Sequence, residues 1–178
     1  FKQKTAYEIM PSLVGSEMCI RDSCNRLSTM SALSTDWQET YRSIVLPKHC
    51  DHYGHMNVRF YAQHFDDGGF QLWNIIGIKQ SDLTRGGMGI VVANISIDFI
   101  HEMTAGQLMV IKGGWIRLGD KSMSHEQRMF EADSGTLCAI QNTVEVCFDM
   151  KRRKPAPLAQ KIRKRIKANL LAPEKLVR

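Results

Sequence analysis

His49-Cys50-Asp51-His52-Tyr53-Gly54-His55-Met56-Asn57 runs directly into Val58-Arg59-Phe60-Tyr61, and the segment marks a passage from strand to helix. Upstream, Tyr41 to Leu46 reads as a strand closed by Pro47. Downstream, Tyr61, Phe65, Gly69, Leu72 and Ile76 recur at spacings of three and four, which places them on one face of a long helix. Asn57 is suited to cap that helix, because its side-chain oxygen can accept from the N–H groups of the first turn. The stretch thus presents a carboxylate, Asp51, on a turn with Gly54, just ahead of a helix N-terminus. That end of a helix carries N–H donors without intrahelical acceptors and a partial positive charge, suited to polarising a carbonyl oxygen. A carboxylate beside such a site can attack an acyl group.

Outward from this junction, Gly77 to Gly89 reads as a loop, and four strand-like segments follow: Ile90–Ile100, Leu108–Leu118, Ser122–Ala132 and Leu137–Phe148. In the first, Ile95, Ile97 and Phe99 alternate with Asn94, Ser96 and Asp98. Thr104-Ala105-Gly106, Gly119-Asp120-Lys121 and Asp133-Ser134-Gly135 separate the segments as turns. Short links imply a meander of antiparallel neighbours. One long helix against such a sheet is an α+β layer pair. Pro155 and Pro157 then set off a terminal helix over about Leu158 to Leu171.

Composition narrows the function classes. The net charge is +6, yet Lys151 to Arg178 holds eleven basic residues against Glu174 alone. The basicity therefore belongs to the tail, and residues 24–150 are mildly acidic. No aromatic residue interleaves the tail's cations, which argues against stacking on nucleic-acid bases. Ile162, Ile166 and Leu170 give the tail helix one apolar stripe and a solvated basic face. No apolar run approaches a membrane span. Cys24, Cys50, Cys138 and Cys147 lack CxxC or disulfide-framework spacing, in keeping with a reducing cytoplasm.

Residues 1–23 read as something other than protein sequence. Lys2 to Ile9 and Leu13 to Ser23 back-translate, in one frame each, into oligonucleotide adapters of high-throughput DNA sequencing. The expected native start lies at or after Cys24, with Met30 a plausible initiator. The expected organisation is 1–23 adapter, 24–39 an N-terminal segment, 40–150 the folded domain and 151–178 a basic tail and helix.

The β–helix–ββββ order with Asp-x-x-Gly-His-x-Asn-x-x-x-Tyr at the junction, here Asp51, Gly54, His55, Asn57 and Tyr61, resembles the hotdog-fold acyl-CoA thioesterases of the 4-hydroxybenzoyl-CoA thioesterase type. The resemblance spans roughly Thr40 to Lys167. It implies a hotdog fold, one long central helix wrapped by an antiparallel five-stranded sheet, plus a C-terminal helix. It implies Asp51 as catalytic carboxylate, nucleophile or general base, the Val58 backbone N–H as oxyanion donor, and His55 orienting Asp51 or lining the acyl pocket. Gly54, Asn57 and Tyr61 are expected near substrate, with Arg152 and Arg153 on the CoA phosphates. An acyl-CoA substrate, a homodimer or homotetramer, and no cofactor, nucleic-acid or membrane partner complete the expectation. Gly68-Gly69 departs from common members and is expected to widen the helix–sheet space or soften the helix.

The same residues bear on other chemistries. His49, Cys50, Asp51, His52, His55 and His64 suggest a metal, but the known zinc spacings are not reproduced. Cys50 and His52, two apart, make a poor nucleophile pair. Asp67 sits nearly three helical turns beyond Asn57, far from the oxyanion site, and one of Asp66 and Asp67 is expected to meet a partner subunit or solvent. A hotdog dehydratase or hydratase, using an acid with a histidine, is one alternative function. A non-catalytic acyl-CoA sensor, which would dispense with Asp51, is another.

Overall fold

Asn57 starts the principal helix as its side chain requires: Oδ1 accepts from the Arg59 N–H at 3.2 Å, and α1 runs Val58–Ile75. The structure, a computed structural model, describes residues 36–172 and Lys175. The adapter reading, the expected start near Met30, and Glu174 and Arg178 of the tail lie outside the described residues. Strands β1 (Gln38–Ile44), β2 (Met88–Phe99), β3 (Leu108–Leu118), β4 (Ser122–Glu131) and β5 (Leu137–Asp149) form one antiparallel sheet, to which β6 (Lys154–Pro155) adds two residues. The short helix α2 (Gln80–Leu83) and the terminal α3 (Gln160–Ala168) complete the elements. This is the expected α+β hotdog arrangement, with a sixth short strand added to the expected five.

The strand order is β1-β3-β4-β5-β2, which corrects the expected four-strand meander. β3, β4 and β5 are consecutive neighbours, but β2 pairs β5 at the far edge. The link from Ile100 to Gln107 allows this. Eight extended residues reach about 26 Å, whereas three strand spacings amount to about 14 Å. That link is also held to the junction loop, by the His55↔Thr104 bridge and the Met56 N–H donating to Met103 O at 2.7 Å.

α1 packs most closely over β1, β3 and β4, and β2 keeps exposed apolar residues such as Val92, Ile95 and Phe99. The core divides into two apolar clusters. One gathers Tyr61, Phe65, Met103, Met109, Ile111 and Met129 near the start of α1, and the other gathers Leu72, Trp73, Ile76, Trp115, Met123 and Ile166 near its end. Ile162 and Ile166 bury the apolar stripe of α3 as expected. Leu170 and Leu171 extend the sheet edge beside Trp115, whose carbonyl accepts the Leu171 N–H at 2.8 Å. Lys161 pairs with Asp82 at 2.8 Å, and Arg163 donates to Gly119 O at 2.9 Å, so part of the basic face is spent on tying α3 to the body.

Gly68 brings α1 close to the sheet, and this corrects the expectation of a widened space. A Cβ there would lie 2.5 Å from Gln127 Oε1 and 3.0 Å from Thr40 Oγ1. Gln127 has little freedom to yield, because it is fully buried and its Nε2 donates to Phe65 O at 2.7 Å. At Gly69 the corresponding contacts are an ordinary 3.7 and 3.8 Å. Gly68→Ala should therefore cost about 1–3 kcal/mol through overpacking. Gly69→Ala should be neutral or gain up to about 1 kcal/mol of helix propensity. Denaturant midpoints of the two variants check the contrast; equal effects would refute the close-approach role of Gly68.

Candidate active site

The junction loop closes on itself before α1 begins. Cys50 and Met56 form an antiparallel bridge, the Asp51 N–H donates to His55 O at 3.0 Å, and the Gly54 N–H donates to Asp51 O at 3.0 Å. Gly54 sits at φ 84°, a region that glycine enters without a Cβ penalty. The Asp51 carboxylate is held in place, since its Oδ1 accepts the Tyr53 N–H at 2.9 Å. These bonds place a carboxylate next to the helix start.

A cavity of about 350 Å³ opens here, lined by Asp51, Met56, Asn57, Val58, Tyr61, Phe99, Ile100, His101 and Glu102. Four expected residues, Asp51, Asn57, Val58 and Tyr61, therefore share one cavity. Val58 is the first residue of α1, and N–H groups of a first turn have no intrahelical acceptor. Tyr61 lies buried beneath, its hydroxyl oxygen accepting the Met103 N–H at 3.2 Å. Burial pushes its phenol up to about 12, so it stays protonated at any ordinary pH.

Other expected residues fall elsewhere. His55 does not line the cavity; its Nδ1 faces Glu102 Oε2 at 3.2 Å. Gly54 shapes the turn without lining the cavity. Arg152 and Arg153 stand at the β5–β6 turn, where Asp149 Oδ1 accepts the Arg152 N–H at 2.8 Å and the Arg153 guanidinium lies over Phe148. Asp149 pairs with Met88 at the start of β2, while the Asp51 cavity takes Phe99 at its end. Eleven strand residues, roughly 36 Å, separate the two places within one chain. His52 stacks on Tyr53 with ring centroids 4.0 Å apart. Among the described residues no three His, Cys, Asp or Glu side chains stand together as metal ligands.

His101 and Glu102 line the cavity and escaped the sequence reading. No local pattern marks them. Only the pairing of their loop with His55 and Met56 brings them in.

A polar belt crosses the sheet face beneath α1, between the two apolar clusters: Gln127, His125, Gln141, Thr143 and Glu145 are all buried. His125 Nδ1 and Glu145 Oε2 have no hydrogen-bond partner among the described residues. Burial raises the Glu145 carboxyl to about 7, opposed by its hydrogen bond with Trp73 and reinforced by the charge of Asp66. Burial lowers His125 to about 4. The two displacements act on stability with opposite sign. Between pH 4.5 and 7 the native state holds a Glu145 proton that the unfolded chain has released, so this contribution weakens as pH rises. Between pH 4 and 6.5 the unfolded chain takes up a His125 proton that the native state refuses, so this contribution weakens as pH falls. Each is worth on the order of 3 kcal/mol. Stability of the protein should then be nearly flat in pH from these two groups. Glu145→Gln should unmask a rise of about 3 kcal/mol from pH 4 to 6.5, and His125→Gln a fall of similar size from pH 4.5 to 7. Urea titrations at several pH values check this, and parallel pH profiles for the two variants would contradict it.

No helix among the described residues is long and apolar enough to cross a membrane. The sequence model of the thioesterase-like superfamily matches residues 45–166. Comparison with curated proteins finds no match. Solved structures are similar in fold. A 1,4-dihydroxy-2-naphthoyl-CoA thioesterase from Synechocystis aligns at 20% identity and TM-score 0.65, over 72% of this chain and 95% of that one. A probable thioesterase from Escherichia coli aligns at 22% identity and TM-score 0.64, over 75% and 99%. A Staphylococcus aureus protein solved in complex with CoA aligns at 15% identity and TM-score 0.66, over 80% and 94%.

Proposed function

Since the chain belongs to the thioesterase-like superfamily, and is by that membership a thioester hydrolase, we propose that it cleaves an acyl-CoA to the free acid and CoA. Asp51 is the catalytic carboxylate in this reading, and the Val58 N–H is the oxyanion donor. The observation that carries it is the gathering of Asp51, Asn57, Val58 and Tyr61 around one cavity at the N-terminus of α1. The CoA complex of the Staphylococcus aureus protein, similar in fold, supports CoA as the carrier.

A thioester carbonyl seated against Val58 would have its oxygen polarised by the free N–H and the helix end. Asp51 either attacks the carbonyl carbon, expelling CoA as thiolate and leaving a mixed anhydride that water opens, or takes a proton from the attacking water. The carboxylate can serve in either role. Asn57 holds the helix start in place. His55, turned to Glu102, acts as a positioning residue for the loop rather than as a group on the substrate.

β2 is hydrogen-bonded on one edge, by β5, and exposes Val92, Ile95 and Phe99. Pairing of two such edges about a twofold axis would make a homodimer. Antiparallel pairing would also bring Arg152 of the partner subunit and Arg153 of the partner subunit toward the Asp51 end, resolving the 36 Å separation estimated within one chain. In that arrangement they meet the CoA phosphates. Replacing both by alanine should raise KM about tenfold or more and spare kcat; an unchanged KM would remove them from the site. The free thiols Cys50, Cys138 and Cys147 agree with a cytoplasmic location.

Thiol release from a panel of short, medium, long and aromatic acyl-CoAs tests the reaction. Turnover of at least one member is expected. Binding of acyl-CoAs without release would favour the sensor alternative. Loss or gain of water across the acyl double bond without thiol release would favour the hydratase, for which His101, on the cavity wall, would be the histidine.

A further inference from the structure

A second cavity of about 210 Å³ begins at Ala62, one residue beyond Tyr61, and runs along α1 to Trp73 and along β2 from Ile95 back to Gly89. Its side walls include apolar Phe70, Ile90, Val92 and Ile95. The floor is different. It is made by the polar belt, with His125 3% exposed and Glu145 9% exposed, and Thr143 and Gln141 between them. Asp66 stands on the α1 side. Gln141 is satisfied internally, donating to Thr143 Oγ1 at 3.0 Å. His125 Nδ1 and Glu145 Oε2 are not satisfied by any described residue, and both belong to side chains that line the cavity.

A buried polar group without a partner is costly, so a floor of this kind calls for something polar above it. The position is informative. Helix rise sets Asp66 about 12 Å and Gly69 about 16 Å beyond Val58. An acyl chain whose carbonyl sits at Val58 and which follows the apolar walls would bring its far end over the floor.

We propose that the substrate's acyl group reaches this second cavity and carries a hydroxyl at its far end, received by Glu145 and His125 beside Thr143. The assignment rests on the reading of the Asp51 cavity as the thioester site. A hydroxyl both donates and accepts, so it satisfies a carboxyl in either protonation state and an imidazole nitrogen in either tautomer. A carboxylate at the same place would face the carboxyl groups of Asp66 and Glu145 with no cation among the cavity's lining residues. A plain alkyl end would leave His125 Nδ1 and Glu145 Oε2 without partners, although Trp73 still bonds the Glu145 carboxyl, and sites built to bond a substrate hydroxyl discriminate strongly against its absence.

The test compares dodecanoyl-CoA with 12-hydroxydodecanoyl-CoA. Affinities are measured by calorimetry on the thioether analogues, which cannot be hydrolysed, and thiol release is followed on the thioesters. The hydroxylated analogue should bind at least about tenfold more tightly to the full chain. Glu145→Leu should reverse that preference, and Thr143→Val, a milder change, should reduce it. Equal affinities, or tighter binding of the unsubstituted chain, would overturn the hydroxyl assignment whatever the rates. Absence of thiol release from both thioesters would instead overturn the hydrolase reading, and the affinity comparison would still judge the floor.

Discussion

Asp51→Asn should lower kcat at least about a hundredfold and leave acyl-CoA affinity nearly unchanged. The substitution is close to isosteric, and an asparagine oxygen can still accept the Tyr53 N–H that the aspartate accepts at 2.9 Å. The turn, and with it the start of α1, should therefore persist. What is lost is the charge: an amide neither attacks a thioester nor takes a proton from water at neutral pH. Steady-state thiol release with circular dichroism on the same samples checks the claim. Activity above a tenth of the starting value would move the chemistry to another group on the cavities, with His101 and Asp66 the next to test.

Val58→Pro should lower kcat by about a hundred- to a thousandfold, the usual consequence of losing one oxyanion donor. Proline here is a selective probe. Val58 is the first residue of α1, where proline is favoured and its missing N–H breaks no intrahelical bond. The preceding Asn57 is extended, at φ −69° and ψ 144°, as a residue before proline prefers. The fold should therefore tolerate the change, and stability should alter little. Unfolding curves and thiol release measured together separate the outcomes. A stable, fully active Val58→Pro protein would show that the carbonyl is polarised elsewhere.

The parts of this molecule that were legible in the sequence are those written locally. The cap at Asn57, the turn at Gly54 and the spacing of Tyr61, Phe65 and Leu72 place α1 almost to the residue, because each reports on its own few neighbours. Strand positions followed from alternation and turn residues in the same way. Strand order did not, since the Ile100–Gln107 link is equally able to join adjacent strands or to cross the sheet. Gly68-Gly69 looked like a loosened helix because the reason for Gly68, the approach of Gln127, lies fifty-nine residues away. The polar floor was hidden for a related reason. In β5, Gln141, Thr143 and Glu145 alternate with Ile140, Val144 and Val146, and period-two reasoning would turn the polar row to solvent. The structure turns it inward, beneath α1. His101 and Glu102 gained a place on the Asp51 cavity through pairing with His55 and Met56, which no sequence window contains.

In the proposed reaction the thioester carbonyl sits between Asp51 and the first N–H of α1. A crystal structure with a ketone analogue of an acyl-CoA, a methylene replacing the thioester sulfur, tests it most directly. The carbonyl oxygen is expected within hydrogen-bond distance of the Val58 N–H, with the Asp51 carboxylate facing the carbonyl carbon and the acyl chain running along α1 toward Glu145. A carbonyl bound away from Val58, or an acyl chain that avoids the space between α1 and β2, would contradict it.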